Sequence, residues 1–465
     1  MDGLGPTTRQ KALALNLDAR TYGTFAEIGG GQEVVGAFFA VGGAAGSVAK
    51  SISAYDMAVS DSLYGPTKRY VSRGRLEAML ELEFSQLMKQ LGAARGDAKC
   101  FFAFANTVAT GRFGSAEQGR GWLGVRFQAH PREAPSEVII HAHLLDREVA
   151  HERDALGALG VNLIHGAFYL QGSPERLISC LLDDLSPERV EVDMVKFSGP
   201  AFAGVDNRLM TLQLVEHGLT DAAMFTAAGE VVQPSEVLYK QAILVERGSF
   251  RPATNLTLDL LERAMDRFST EVAVRERGTP VVLAEMTLRS LTPGSEARNE
   301  DFLARADILR TLGFDVLISH FQRYYEVADY LAGYTDGPIG LAIGLPAVRL
   351  LVDEAYYQNL AGGVLESAGR LFKRSVKVYV YPTRDPKTGR VETWESLQLP
   401  PPWQHLHRLL IDLGAIVPIC PSDESYLSIQ TADVLAMIQN GDPAWERLVP
   451  PKVAEIIRAD RLFLR

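Results

Sequence analysis

The residues best placed for chemistry lie in AILVERGSFRPATNLTLDLLERA, residues 242–264. An apolar run ends at Arg247, Gly248 and Ser249 turn the chain, and Pro252 leads toward a helix opening near Thr254. Such a loop suits a phosphate. Glycine admits close backbone approach, Ser and Thr add hydroxyl donors, and a helix N-terminus presents unpaired N–H groups at the positive end of its dipole. Arg247 or Arg251 could add charge. The plainer alternative is an ordinary strand-to-helix turn in which Thr254 is only an N-cap.

A second pattern is VIIHAHLLD, residues 138–146. His141 and His143 are two apart on an expected strand, so both face one side. That spacing suits metal ligation, given further ligands from neighbouring strands; His165, Asp193 and His320 are candidates. The alternative is an ordinary polar strand face with Asp146 and Arg147 paired nearby. The stretch EVDMVKFSGPAFAGVDNRL (191–209) gathers Asp193, Lys196, Asp206 and Arg208 around a turn after a strand, where α/β sheets bind ligands. Glu285 is a carboxylate inside an apolar strand, VVLAEMTL, and needs a partner. His405 and His407 do not share a helix face and are expected at the surface. Arg73 and Arg75, ahead of an expected helix, suit a solvated face or an anion contact. The glycine-rich run 28–51 is not a phosphate loop: Lys50-Ser51 follows Ala49 rather than glycine, and a close-packed helix of small residues is expected instead.

GSFRPAT resembles the GSFxPxT signature of the nicotinate/nicotinamide-mononucleotide adenylyltransferases, members of the HIGH-type nucleotidyltransferase superfamily. IQTADVLAMIQNGDPAWERLVPPKVAEIIRADRLF (429–463) is similar to that family's C-terminal block, keeping Gly441, Val449, Pro450, Val453, Ile457, Leu462 and Phe463. PIGLAIGLPAVRLLVDEAYYQNLAG and VKVYVYPTRD resemble its middle strands and turn. The three blocks span roughly 240–465.

The resemblance implies a nucleotide-binding fold of NAD metabolism. ATP would be the substrate or ligand and Mg would assist. Gly248, Ser249, Phe250, Pro252 and Thr254 would cradle phosphates, Gly344 and Thr431 would line the site, and Thr257 and Arg251 would be the catalytic positions. The departures weigh against the family's reaction. Thr257 stands where the family has a catalytic histidine, Leu435 where it has an arginine, Ala432 in its Ser/Thr pair, and Pro346 at its aspartate. Loss of charge-stabilising groups costs orders of magnitude in rate. Three functions stay open: an adenylyltransferase-like enzyme, a catalytically silent scaffold or sensor with any chemistry in the first half, or a metal-dependent enzyme using His141 and His143.

The elements that would position these residues are α/β. The chain has 465 residues, 47% hydrophobic and 22% charged, with net charge −10. That length suggests more than one domain. The acidic balance gives no support for nucleic-acid or membrane-surface partners. Three distant cysteines argue against a disulfide framework and fit a cytoplasmic setting. The N-terminus has no secretory pattern, and the uncharged stretch 34–49 is too short and Gly-rich to span a membrane. That stretch and a Pro-rich excursion at 385–403 suggest a homo-oligomer.

Residues 1–30 read as an irregular lead-in and 33–90 as mostly helical, with one helix ending at Gly92. Strands follow at 101–107, 122–128 and 138–146, while 161–170 fits either strand or helix. After a polar, turn-rich stretch at 229–240, strands and helices alternate, which predicts a parallel sheet covered on both faces. The expected architecture is two domains. Residues 1–240 form an α/β domain with a helical N-terminal part. Residues 241–465 form a Rossmann-like, doubly wound parallel sheet of nucleotidyltransferase type.

Overall fold

The computed structural model describes residues 5–111, 118–291, 295–373 and 375–464. The chain divides into two compact α/β units, one ending at Thr220 and the other starting at Asp221.

The first unit contains, in chain order, α1 (Thr8–Leu17), β1 (Thr21–Gly29), α2 (Glu33–Ala40), β2 (Val48–Ile52), α3 (Met57–Tyr64) and α4 (Arg73–Arg95). Then come β3 (Cys100–Ala109), β4 (Gly119–Phe127), β5 (Ser136–Leu144), α5 (Val149–Tyr169), α6 (Pro174–Cys180), β6 (Val190–Ser198) and α7 (Asn207–Glu216). The sheet order is β2-β1-β3-β4-β5-β6. β1 runs parallel to β2 and β3, and β3 to β6 are antiparallel neighbours. One face carries Phe102, Phe104, Leu123, Val125, Ile140 and Val192, which form a core with α1, α2, α5, α6 and α7. α4 packs over β1, β3 and β4, placing Leu76 and Leu80 against Gly124.

Three expectations for this unit change. The lead-in at 1–30 holds α1 and β1. The run 28–51 is not one helix: Gly42 and Gly43 take φ of 80° and 78°, a backbone that ends α2, and β2 follows. The ambiguous 161–170 segment is the second half of α5, whose Val161, Leu163, Ile164 and Ala167 are buried.

The second unit begins with β7 (Ala222–Phe225), β8 (Val231–Val232) and α8 (Pro234–Leu238). The sequence places the domain boundary at 240; in the structure β7 and β8 already belong to the second sheet, through pairing of β7 with β11. There follow β9 (Ile243–Arg247), α9 (Asn255–Phe268), α10 (Val272–Arg275), β10 (Val281–Thr287), α11 (Ser295–Leu312), β11 (Asp315–Ser319) and α12 (Tyr324–Tyr334). Next are β12 (Ile339–Gly344), α13 (Leu345–Leu351), α14 (Gly363–Leu371), β13 (Val376–Tyr381), β14 (Thr383–Arg384) and β15 (Val391–Glu392). The unit ends with α15 (Pro401–Asp412), β16 (Ile416–Pro418), α16 (Thr431–Asn440) and α17 (Pro451–Asp460).

The second sheet has the order β16-β13-β12-β9-β10-β11-β7-β8. β9 to β13 and β16 run parallel, and β7 is antiparallel to β11. Taking β9 as the first strand, this is the 3-2-1-4-5-6 order of a Rossmann-like, doubly wound sheet. Its apolar strands are covered on both faces, one core containing α12 and α14 residues, the other α9 residues. That is why they read as continuous hydrophobic runs. The excursion at 385–403 is packed rather than loose: Trp394, Leu397 and Leu399 are buried. His407, expected at the surface, stacks on Trp394 at 4.1 Å, while His405 is exposed. No helix among the described residues is long and apolar enough to cross a membrane.

Candidate functional site

In a doubly wound sheet the crevice for ligands lies at the carboxyl ends of the strands where the order reverses. Here that point falls between β9 and β12, whose residues Glu246 and Ala342 lie level. β9 delivers the chain into the loop Gly248–Ala253, and β12 ends at Gly344. The sequence motif and the topology therefore point to one place.

The side chains of that loop are largely committed to partners within the unit. Arg247 pairs with Glu285 on β10 through two bonds, Nε to Oε2 at 2.9 Å and Nη2 to Oε1 at 2.8 Å, and donates to the Gln322 carbonyl at 3.0 Å. Its guanidinium lies 4.9 Å from the Tyr324 ring centre. Burial disfavours its charge, but Glu285 outweighs burial and raises its pKa. Ser319 completes the site of Glu285, donating to Oε1 at 2.6 Å. The strand carboxylate singled out in the sequence is thus a satisfied core acid. Arg251 pairs with Asp301 at 2.7 Å, and Asp301 also pairs with Arg305. Arg305 donates to the Ser249 and Ser290 carbonyls, each at 2.9 Å, and fixes the loop from beneath.

Gly248 makes room for the Phe250 ring, which folds back over it: a Cβ there would lie 2.9 Å from the ring and the ring would have to shift. Phe250 takes φ of 48° to do so. Ser249 is exposed, and Pro252 is buried. Thr254 and Thr257 form a reciprocal capping box. The Thr257 N–H donates to Thr254 Oγ1 at 3.4 Å, and the Thr254 N–H to Thr257 Oγ1 at 3.3 Å. The next N–H, of Asn255, donates to the Leu448 carbonyl at 2.9 Å, and its side chain to the Arg447 carbonyl at 2.9 Å. So most of the donors a helix N-terminus offers an anion are occupied at α9. Gly344 is more open, its nearest neighbour to a Cβ being Pro346 at 3.6 Å. Thr431, half-buried, opens α16.

One further group stands at the switch point. Glu246 is buried at 7% exposure, and its Oε2 has no hydrogen-bond partner. It lies level with Ala284 and Ala342, two small residues, and burial raises its pKa well above the carboxylate range. A charged residue inside the strand ILVER was the available signal. A cleft of about 1060 Å³ runs alongside the loop, lined by Arg251, Glu300, Asp301, Asp307, Arg461 and Phe463 among others. Its acidic lining does not suit a polyphosphate.

In the first unit the glycine-rich run leads into α2. The N–H groups of Val34 and Val35 donate to Glu27 on β1, at 3.2 and 3.1 Å, and Asn106 donates to it at 3.1 Å. Burial raises the Glu27 pKa to about 7, against the pull of those backbone bonds. A carboxylate of the chain thus stands where an anion would bind. Arg75 is likewise paired, to Asp61 at 2.8 Å, and Arg73 to Glu77 at 3.0 Å.

His141 and His143 do converge on an acid. His141 Nδ1 lies 2.6 Å from Asp193 Oδ1, and His143 Nε2 lies 3.1 Å from Asp193 Oδ2. Asp193 is fully buried. Burial opposes its charge, but the two imidazoles hold its pKa well below the carboxylate range. Burial also opposes charge on His143, yet Asp193, with a contribution from Glu191, raises its pKa. The other candidates do not join. His165 lies on α5 against Tyr169, with burial and Lys11 lowering its pKa to about 4, and His320 is an exposed residue of the second unit. Asp206 pairs with Arg208 at 2.7 Å.

No family profile matches the sequence, and no curated protein does. Among solved structures, the competence/damage-inducible protein CihA from Agrobacterium tumefaciens is similar over 35% of this chain and 97% of its own, with 18% identity and a TM-score of 0.26. A putative nicotinate-nucleotide adenylyltransferase from Vibrio parahaemolyticus is similar over 48% of this chain and 96% of its own, with 10% identity and a TM-score of 0.23. The nicotinic acid mononucleotide adenylyltransferase of Plasmodium falciparum, complexed with APC, is similar over 48% of this chain and 97% of its own, with 12% identity and a TM-score of 0.27. At these values the fold assignment rests on the strand order itself.

Proposed function

We propose that the second unit is a nucleotidyltransferase-type nucleotide-binding module that does not transfer adenylyl groups. The observation that carries the reading is the coincidence of the GSFRPAT loop with the switch point of a 3-2-1-4-5-6 sheet. The ligand is ATP or a mononucleotide. It is bound at the carboxyl ends of β9 and β12, by backbone at Gly248 and Ser249 and in the space beside Gly344, with Thr431 at the rim.

The absence of transfer follows from charge. Adenylyl transfer needs preorganised positive charge around the phosphates. Arg247 and Arg251 face Glu285 and Asp301 instead, and Thr257 has its hydroxyl in a cap. Pro346 stands where the resemblance has an aspartate, and Asp301 is paired to two arginines. Neither of these two positions therefore offers magnesium an uncommitted carboxylate.

Calorimetric titration of the full chain with ATP and with nicotinamide mononucleotide, followed by an adenylyl-transfer assay, tests both halves of the reading. Binding without dinucleotide formation is expected. Turnover would overturn the silent reading, and absence of binding by either compound would overturn the nucleotide reading. Gly344→Leu fills the open side without a left-handed backbone and should abolish binding while the protein stays folded.

A further inference from the structure

The register of β5 against β6 contains one irregularity, and it falls at the histidine pair. His141 lies opposite Met194 and Ala142 opposite Val192, so Asp193 is the extra residue of a β-bulge. In a regular antiparallel pairing Asp193 would face Ala142 and point into the apolar core that Ala142 and Val192 help to build. The bulge turns it to the opposite face, where His141 and His143 lie with Trp122, the residue opposite His141 on β4. Bulges re-aim single side chains and recur beside functional sites. Here the result is two imidazole nitrogens and a carboxylate whose ligating atoms all lie within 4.8 Å of one another.

We propose that His141, His143 and Asp193 bind one divalent transition-metal ion, zinc being the first candidate. Two imidazoles and one carboxylate form a borderline donor set that suits zinc and its neighbours rather than magnesium or calcium. Tetrahedral zinc with ligand bonds near 2.0–2.2 Å separates its ligands by about 3.3 Å. The 2.6 and 3.1 Å contacts, made to the two oxygens of Asp193, would open and the set, now within 4.8 Å, would close around the ion. Local charge favours a cation. Asp193 is fully buried, and Glu191, held by Thr220 at 2.5 Å, lies opposite His143. Cations on this face include Arg120, opposite His143 on β4 and exposed, and Lys196, opposite Ile139 on β6.

Access is one-sided. The side chains of His141 and Asp193 are 4% and 0% exposed, whereas His143 is 19% exposed. Three protein ligands with a solvent-facing fourth position are the pattern of a catalytic rather than a structural zinc site. This inference is independent of nucleotide binding in the second unit.

The test uses the full chain, stripped with a chelator and titrated with cobalt(II) and then zinc. One equivalent of cobalt should give visible absorption of low-coordinate geometry, which zinc should displace. Asp193→Asn, which keeps shape, and His143→Ala, at the most exposed ligand, should each weaken binding at least hundredfold. Their melting temperatures without metal, compared with that of the parent, test that they remain folded. His165→Ala, outside the cluster, should bind like the parent. Failure of the parent chain to take up a stoichiometric metal under excess zinc would overturn the proposal. So would a cobalt spectrum unchanged in both ligand variants.

Discussion

The β9–α9 loop and the β5–β6 pairing make an instructive contrast. The loop carries the more specific sequence signature, and it sits at the expected place in its sheet. Yet its polar groups are turned inward: Arg247 on Glu285, Arg251 on Asp301, Thr254 on Thr257, Asn255 on Leu448. The β5–β6 pairing carries a common dipeptide-spaced histidine pair, but the structure adds a third donor through a bulge. A motif preserves backbone shape because turns and caps need those residue types, whereas chemistry depends on which polar atoms are left to meet a ligand.

The sharpest way to break this contrast is Arg247→Ala. It leaves Glu285, 1% exposed, without its main partner. Removing one member of a buried pair costs about 3–5 kcal/mol, so denaturant unfolding should show a loss of that size. A loss below about 1 kcal/mol, together with weakened nucleotide binding, would instead make Arg247 a ligand group.

Next in size is the pH dependence of Glu27. Its folded pKa of about 7 lies above the ordinary 4.5. Its contribution is therefore fully present below pH 4.5 and is lost as pH rises through 7, by about 3 kcal/mol at most. Glu27→Gln should flatten that fall in unfolding free energy between pH 4.5 and 7. An unchanged slope would mean that Glu27 is charged near its ordinary pKa in the folded chain.

The hundredfold loss of metal affinity for Asp193→Asn corresponds to about 2.7 kcal/mol, and it sharpens the other side of the contrast. The smallest effect is expected for Thr254→Ala. Loss of an N-cap costs about 1 kcal/mol of stability, with nucleotide affinity unchanged by calorimetry. A fall in affinity without loss of stability would restore Thr254 as a phosphate ligand.

Much of the second unit was legible because its strands are doubly buried and its helices follow at short intervals. PIGLAIGL shows this as an unbroken apolar run, and SVKVYVYP as one broken only by Lys377 after its opening serine. The first fifty residues were not legible. β1, TYGTFAEIG, holds two glycines and a buried Glu27, and its strand character comes from parallel pairing with β3. Residues 161–170 were ambiguous because a buried helix and a buried strand share an apolar pattern over ten residues. Glu246 and Glu285 carry the same local signal, an acid in an apolar strand, and only long-range contacts separate the paired Glu285 from Glu246, whose Oε2 has no hydrogen-bond partner.

Local pattern was enough for the α/β class, the βα rhythm after residue 240, the place of the glycine–serine loop, and the shared face of His141 and His143. These follow from periodicity and turn chemistry, which are local. Long-range contacts are what neutralise Arg247 and Arg251, bring the Leu448 carbonyl to the start of α9, and swing Asp193 to the histidine face. Each of those depends on atoms brought together across 38 to 193 residues of chain, and a long-range pairing leaves no periodic trace in the sequence.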